Sequence, residues 1–226
     1  MDKKQQKNSK KQKMSKKIKN KLNIRNWTNH QRNEWRDKSE KDSVAFWKNL
    51  DAKLQTNFQT YWLAGFWEGE GSITVSVKKH PTSTFGFNFQ PEISISQHAS
   101  AIHLLWWTKL YVFNNTGSIT WKNGSDATWV YKFTNKKEIS EIFEPWYETH
   151  VYPFLGTEGI EHWHKFKKCR SLISKRKSWD LDDAQACAKQ IYTLTSYKGR
   201  DRKLSLEQLQ LLIKEHPNQN TKKRSL

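Results

Sequence analysis

The spacing of apolar residues along this chain changes period several times, and each change predicts a new element. Phe58, Tyr61, Trp62, Leu63, Phe66 and Trp67 crowd together so densely that they predict a helix buried on most sides, beginning near Thr56. Gly65 and Gly69 lie four apart in it, and so on one face. Each costs about 1 kcal/mol against Ala inside a helix, a cost that the close approach of a second helix would justify. From Ser72 the period falls to two. Ile73, Val75 and Val77 alternate with Thr74, Ser76 and Lys78. Phe87, Phe89, Pro91, Ile93 and Ile95 then alternate with Asn88, Gln90, Glu92, Ser94 and Ser96. This predicts a strand pair with one apolar and one polar face, joined by a polar loop around Lys79 to Thr84. Pro91 predicts a bulge or an edge position.

Ser100 is placed to cap a helix running to about Phe113 and ended by Asn114-Asn115. A second strand pair follows. Ile119 and Trp121 oppose Ser118, Thr120 and Lys122; after an Asn123-Gly124 turn, Trp129, Tyr131 and Phe133 oppose Thr128 and Lys132. Asn135 with Glu138 has the form of a capping box for a helix to about Tyr147. The order is helix, strand pair, helix, strand pair, helix, an α+β chain of αββαββα type. Helices are expected again over 160–175, 181–197 and 206–215, with Asp180/Asp183 and Ser205/Gln208 as start signals. Four regions result: a basic arm read as disordered over 1–26, a helical extension over 27–55, the core over 56–175, and C-terminal helices and tail over 176–226. No internal repeat is visible.

Charge narrows the partner. The 226 residues carry 40 Lys and Arg against 22 Asp and Glu, a net +18. Residues 1–25 hold ten Lys and one Arg against Asp2, which is +10 of that total, and the remainder still carries +8. Such a balance points to polyanions, and the arm and the Lys198–Lys203 link are both suited to phosphate contact. Two cysteines, Cys169 and Cys187, are too few for a disulfide framework or a cysteine zinc site. No apolar run reaches the roughly 20 residues of a membrane span, so no membrane partner is expected. The Lys- and Asn-rich start lacks the character of a signal or transit peptide, so an organellar location would imply synthesis inside the organelle.

The polar strand face carries Thr74, Ser76 and Lys78 on the first strand and Asn88, Gln90, Glu92 and Ser94 on the second. Thr120, Lys122, Thr128 and Lys132 extend it on the second pair. These are side chains that read base edges and phosphates. An ordinary solvated sheet face is the plain alternative; the length of this face and its few acids favour DNA binding.

The nonapeptide Leu63-Ala-Gly-Phe-Trp-Glu-Gly-Glu-Gly71 stands just before the first strand. With Ser83-Thr-Phe-Gly86, Ser96-Gln97-His98, Thr116-Gly-Ser-Ile119 and Gly124–Thr128, it resembles the LAGLIDADG homing endonucleases, over roughly residues 57–155. The likeness is to the single-motif type found in introns of organellar ribosomal RNA genes, chloroplast ahead of mitochondrion. It implies a four-stranded antiparallel saddle that binds DNA, a site-specific double-strand cut and intron homing. Because the nonapeptide occurs once, it also implies a homodimer paired through Leu63, Gly65, Phe66 and Gly69. Such a dimer would span a long pseudo-palindromic site in double-stranded DNA.

Phosphodiester hydrolysis needs an activated water and a sink for charge, which divalent metals held by oxygen ligands supply. The resemblance makes Glu70, with Gly69, the ligands of Mg²⁺ or Mn²⁺, and Glu70 with Gln97 the catalytic pair. Glu68 sits roughly 200° around the helix from Glu70 and cannot share its direction. His98 is read without a special role, and His162 and His164, flanking Trp163, face opposite ways on a helix. One departure stands out. The family often has a basic residue after the helix that follows the fourth strand, and Pro153-Phe-Leu-Gly-Thr-Glu-Gly159 contains none. That keeps open a maturase that binds intron RNA, or a non-catalytic DNA-binding protein, on the same scaffold. A generic basic coat protein would explain the charge and nothing else.

Overall fold

The computed structural model describes residues 27–125, 127–194 and 204–216. The basic arm, the Lys198–Lys203 link and the predicted helix end at Tyr197 lie outside the described residues. Helix α1 (Asn29–Lys48) begins with a capping box, in which Thr28 and Gln31 satisfy each other's backbone N–H groups. Helix α2 (Ala52–Asn57), a π-helical turn (Phe58–Trp62) and α3 (Leu63–Glu70) then run on without a break. The helix therefore starts at Ala52, after the Asp51 cap, four residues before the expected start.

Strands β1 (Gly71–Lys79) and β2 (Phe87–His98) follow. After α4 (Ile102–Trp107) and a second π-helical turn come β3 (Ser118–Trp121) and β4 (Thr128–Phe133), joined through Gly124 at φ +76°. They form one antiparallel sheet of order β1-β2-β4-β3. The register of β1 with β2 is unbroken from Gly71–Ile95 to Lys79–Phe87, so Pro91 makes no bulge. Pro91 lies before Ile93, where β4 begins to pair, so only β1 flanks it. The missing N–H is thus tolerated as at an edge.

Two caps differ from expectation. Ser100 is not the cap: the ring of His98 accepts from the Ser100 N–H at 3.2 Å and starts the turn that leads into α4. Asn135 accepts from Lys137 N–H at the start of α5 (Lys136–Glu138), without the reciprocal bond from Glu138. A third π-helical turn then leads into α6 (Glu144–His150).

The apolar sheet face carries Val75, Phe89, Ile93, Ile95, Trp129, Tyr131 and Phe133 into one core. The C-terminal helices α7 (Thr157–Ser174), α8 (Leu181–Leu194) and α9 (Leu206–Glu215) complete it through Phe166, Ile173, Cys187, Ile191 and Leu209. No break in packing marks the boundary expected at residue 175. Burial pushes the Cys187 thiol up to about 12, the inert behaviour of a core cysteine. Helix α1 is held by a smaller aromatic group, in which Trp47 stacks on Tyr111 at 4.5 Å and meets Phe58 and Trp107. Among the described residues, no helix is long and apolar enough to cross a membrane.

Arg170 on α7 pairs with the buried Glu144 of α6, with Nη2 donating to Oε2 at 2.8 Å. Burial pushes the Glu144 carboxyl above the usual carboxylate range, and Arg170 opposes that rise. Because the folded state holds the Glu144 proton more tightly than the unfolded chain, this group's contribution to stability falls as pH rises through its raised pKa. Arg170→Met removes the opposing charge. We expect a loss of about 3 kcal/mol in urea unfolding at neutral pH, shrinking below the usual carboxylate range where Glu144 is protonated in both states. An equal loss at all pH values would contradict this origin.

Candidate nucleic-acid interface

Helix α3 ends and β1 begins without a linker, because Glu70 is the last helical residue and Gly71 the first of the strand. The Gly71 N–H closes the helix on the Trp67 carbonyl. A Cβ on Gly71 would lie 2.4 Å from both that carbonyl oxygen and Trp67 Nε1. Glycine is required here for the close approach, not for its dihedral, which is an ordinary φ of −70°. Trp67 itself is buried against Phe143 and Trp146. The turn that presents Glu70 is therefore fixed by an indole in the core.

Glu68, Gly69 and Glu70 are exposed. The helix ends here, and its dipole makes this end favourable for a cation. An exposed carboxylate beside helix-end carbonyl oxygens is a hard-oxygen donor set of the kind Mg²⁺ takes. Among the described residues, no three His, Cys, Asp or Glu side chains come together as a metal cluster.

The register places the expected polar residues on one face. Thr74 lies opposite Glu92, Ser76 opposite Gln90, Lys78 opposite Asn88, and Ser94 opposite Lys132. All are half-buried or exposed. One groove gathers Gly69, Glu70, Thr74, Glu92 and Ser94 with Thr120, Lys122 and Lys132. Ser76, Lys78, Asn88 and Gln90 continue the same face outward along β1 and β2, while Thr128 lies at the inner end of β4, opposite His98. Gln97 is out of step with this face. It pairs with Trp129 and shares the alternation of Ile93 and Ile95. It lies two residues past the Gly71–Ile95 pair, at the end of β2, and does not line the groove that holds Glu70.

The dimer-face expectation needs one correction. Leu63 is fully buried in the chain's own core, so it has no surface to offer a second copy. Phe66 is partly buried and stacks on Trp62 at 4.7 Å. Gly65 and Gly69 are open, with nothing within 4 Å of a Cβ built on either. Tyr61 and Trp62 beside them are 74% and 42% exposed. The open face thus consists of glycines and aromatic rings.

Two residues outside the local patterns also reach the sheet. His162 on α7 lines the Glu70 groove, and its Nε2 meets the Ile73 carbonyl at 2.9 Å on the outer edge of β1. Arg176, in the turn after α7, donates to the Phe87 carbonyl at 2.7 Å and to Asn88 Oδ1. Each bond spans nearly 90 residues, beyond the reach of any periodicity.

A sequence profile of LAGLIDADG endonucleases matches residues 63–169. Over that segment the chain is similar to this family. It is 35% identical to the DNA endonuclease I-CeuI of Chlamydomonas moewusii over 133 residues, which is 59% of this chain. The match spans 60% of that curated relative's length. The intron-encoded homing endonuclease I-CeuI, solved in complex with DNA, superposes with a TM-score of 0.60 at 29% identity, over 78% of this chain and 92% of that one. An archaeal intron-encoded homing endonuclease, also complexed with DNA, gives 0.59 at 22% identity, over 68% and 93%. At that identity the second likeness speaks for the fold alone. The four-stranded antiparallel sheet with its helices is the LAGLIDADG architecture.

Gly71→Ala should cost about 3 kcal/mol or more, because backbone and an immobile indole block the added methyl. The urea midpoint reports the loss. A wild-type midpoint would mean that Trp67 does not hold the helix–strand turn.

Proposed function

We propose that this LAGLIDADG-like chain is a site-specific, metal-dependent DNA endonuclease that acts as a homodimer and promotes intron homing. The observation that carries the reading is the place of Glu70. It is exposed where an open small-residue helix face meets a four-stranded polar sheet face. The solved I-CeuI complex supports DNA as the partner. The relative from Chlamydomonas supports an organellar, intron-encoded origin, chloroplast ahead of mitochondrion.

Glu70 and the Gly69 carbonyl would hold Mg²⁺ or Mn²⁺. When bound, the metal lowers the pKa of its water and offsets charge on the leaving oxygen. The chain's own residues perform the remaining tasks. Lys122 and Lys132 set positive charge in the groove beside Glu70, where phosphates would lie. The neutral amide of Gln97, near the end of β2, is suited to orient a water without competing for the cation. Thr74, Glu92 and Ser94, on one polar face, offer groups suited to base edges. One acid per chain suffices for one strand, and two-fold pairing of α3 would bring two Glu70 side chains to the centre of an eight-stranded saddle.

Glu70→Gln should leave the binding of target duplex unchanged in gel-shift titration and slow cleavage about a thousandfold, roughly 4 kcal/mol of transition-state stabilisation. Cutting at the wild-type rate would remove Glu70 from the active site. Pairing is tested separately. Gly65→Ala has room within the chain and gains helix propensity, so thermal stability measured at low concentration should hold or rise. The added methyl would overpack a close helix–helix contact at a cost of about 1–3 kcal/mol. Sedimentation should therefore show the dimer weakened about ten- to a hundredfold. Unchanged association would move the interface elsewhere.

A further inference from the structure

Strand β2 has β1 along one side from Phe87 to Ile95, but β4 joins its other side only at Ile93. The stretch before Ile93 would leave backbone acceptors open on that second edge. Gly86 turns its carbonyl toward the β1 side, where His80 N–H meets it at 2.7 Å, so the Phe87 carbonyl faces the open edge. Arg176 occupies that position. Its Nη2 donates to the Phe87 carbonyl, and its Nη1 donates to Asn88 Oδ1.

A guanidinium only donates, so the contact fixes which end of the Asn88 amide faces the arginine. The oxygen is held at the strand edge, and the NH₂ group is turned away from it. Asn88 alternates with buried Phe87 and Phe89, so it belongs to the polar face, opposite Lys78. Lys78 in turn donates to Gln90 Oε1 at 2.8 Å, which fixes the Gln90 amide by the same logic. This corner of the sheet therefore offers the ammonium of Lys78 and the amide NH₂ groups of Asn88 and Gln90, with both amide oxygens engaged inside the protein.

Adenine is read by an amide that both accepts from N6 and donates to N7, whereas guanine presents two acceptors, O6 and N7. We propose that Arg176 is a specificity-determining positioning residue: by holding the oxygen of Asn88, it makes the outer corner of the sheet a donor-only reader that selects guanine over adenine. The inference rests on the sheet being the DNA-reading face. Lys78 lies eight residues from Glu70, about 26 Å at roughly 3.3 Å per strand residue. At about 3.4 Å per base pair, that places the guanine about eight pairs from the catalytic acid in each half-site.

The test uses the full-length protein and a randomised duplex DNA pool, with bound duplexes selected and sequenced. Wild type should yield a two-fold consensus with guanine about eight pairs from the catalytic acid in each half. Asn88→Ala should lose the preference at that pair and keep the remainder of the consensus. Arg176→Gln frees the Asn88 amide to turn, so adenine should be admitted and the guanine preference fall about fivefold, the low end for one bidentate contact. Arg176→Lys, which keeps a donor at the edge, should retain more of the preference. A circular dichroism melt checks that each variant folds, and Asn88→Ala reports on the corner even if Arg176→Gln does not. A wild-type consensus without guanine there, or variants with the wild-type profile, would overturn the inference. A wild type that selects no consensus at all would instead overturn the reading of the sheet as the DNA-binding face.

Discussion

The junction of Trp67 with Gly71 is the constraint on which the rest of the site depends. A helix end and a strand start meet within one residue, because the strand's first residue has no side chain and the indole fills the space where one would stand. The helix thereby delivers Glu70 to the surface while its neighbour Trp67 stays in the core. Any linker at this point would let the carboxylate wander relative to the sheet. The same geometry sets the phase of β1: with Gly71 paired to Ile95, every even-numbered residue from Ser72 to Lys78 must face away from the core.

From that phase the sheet's two faces follow. An antiparallel register with no bulge keeps Thr74, Ser76 and Lys78 in line with Glu92, Gln90 and Asn88 over their whole shared length. A slip of one residue would turn Val75 outward and Thr74 into the core, at the cost of a buried hydroxyl and an exposed valine. The core residues Val75, Phe89, Ile93, Tyr131 and Phe133 thus set the position of the polar-face side chains as firmly as they set the fold.

Much of this was legible in the sequence. The alternation of Ile73, Val75 and Val77, and of Trp129, Tyr131 and Phe133, predicts the strands because period two is a local property. The glycines of the nonapeptide mark one helix face, and Gly65 and Gly69 are both open on the chain's surface. Leu63 shows the limit. Its place on the helix is the same whether its side chain meets its own core or a second chain, and only the packing of the whole domain assigns it to the core. The His98 cap was missed for a related reason, since a histidine ring accepting from a backbone N–H two residues on leaves no compositional trace. The C-terminal helices looked separable in sequence because their apolar faces carry no sign of what they cover.

Those helices do more than fill the core. An isolated sheet of order β1-β2-β4-β3 exposes the outer edge of β1, and β2 is open where β4 falls short. Exposed edges invite pairing with other chains, and they fray. His162 meets the first edge at Ile73, and Arg176 closes the second at Phe87. Both come from one helix and the turn that follows it, so a single element restrains β1 near Glu70 and β2 near Asn88. The polar face is therefore tied at both of these edges by residues from outside the sheet. An amide whose oxygen is held by a guanidinium keeps one orientation, whereas a free amide on a solvated strand could turn.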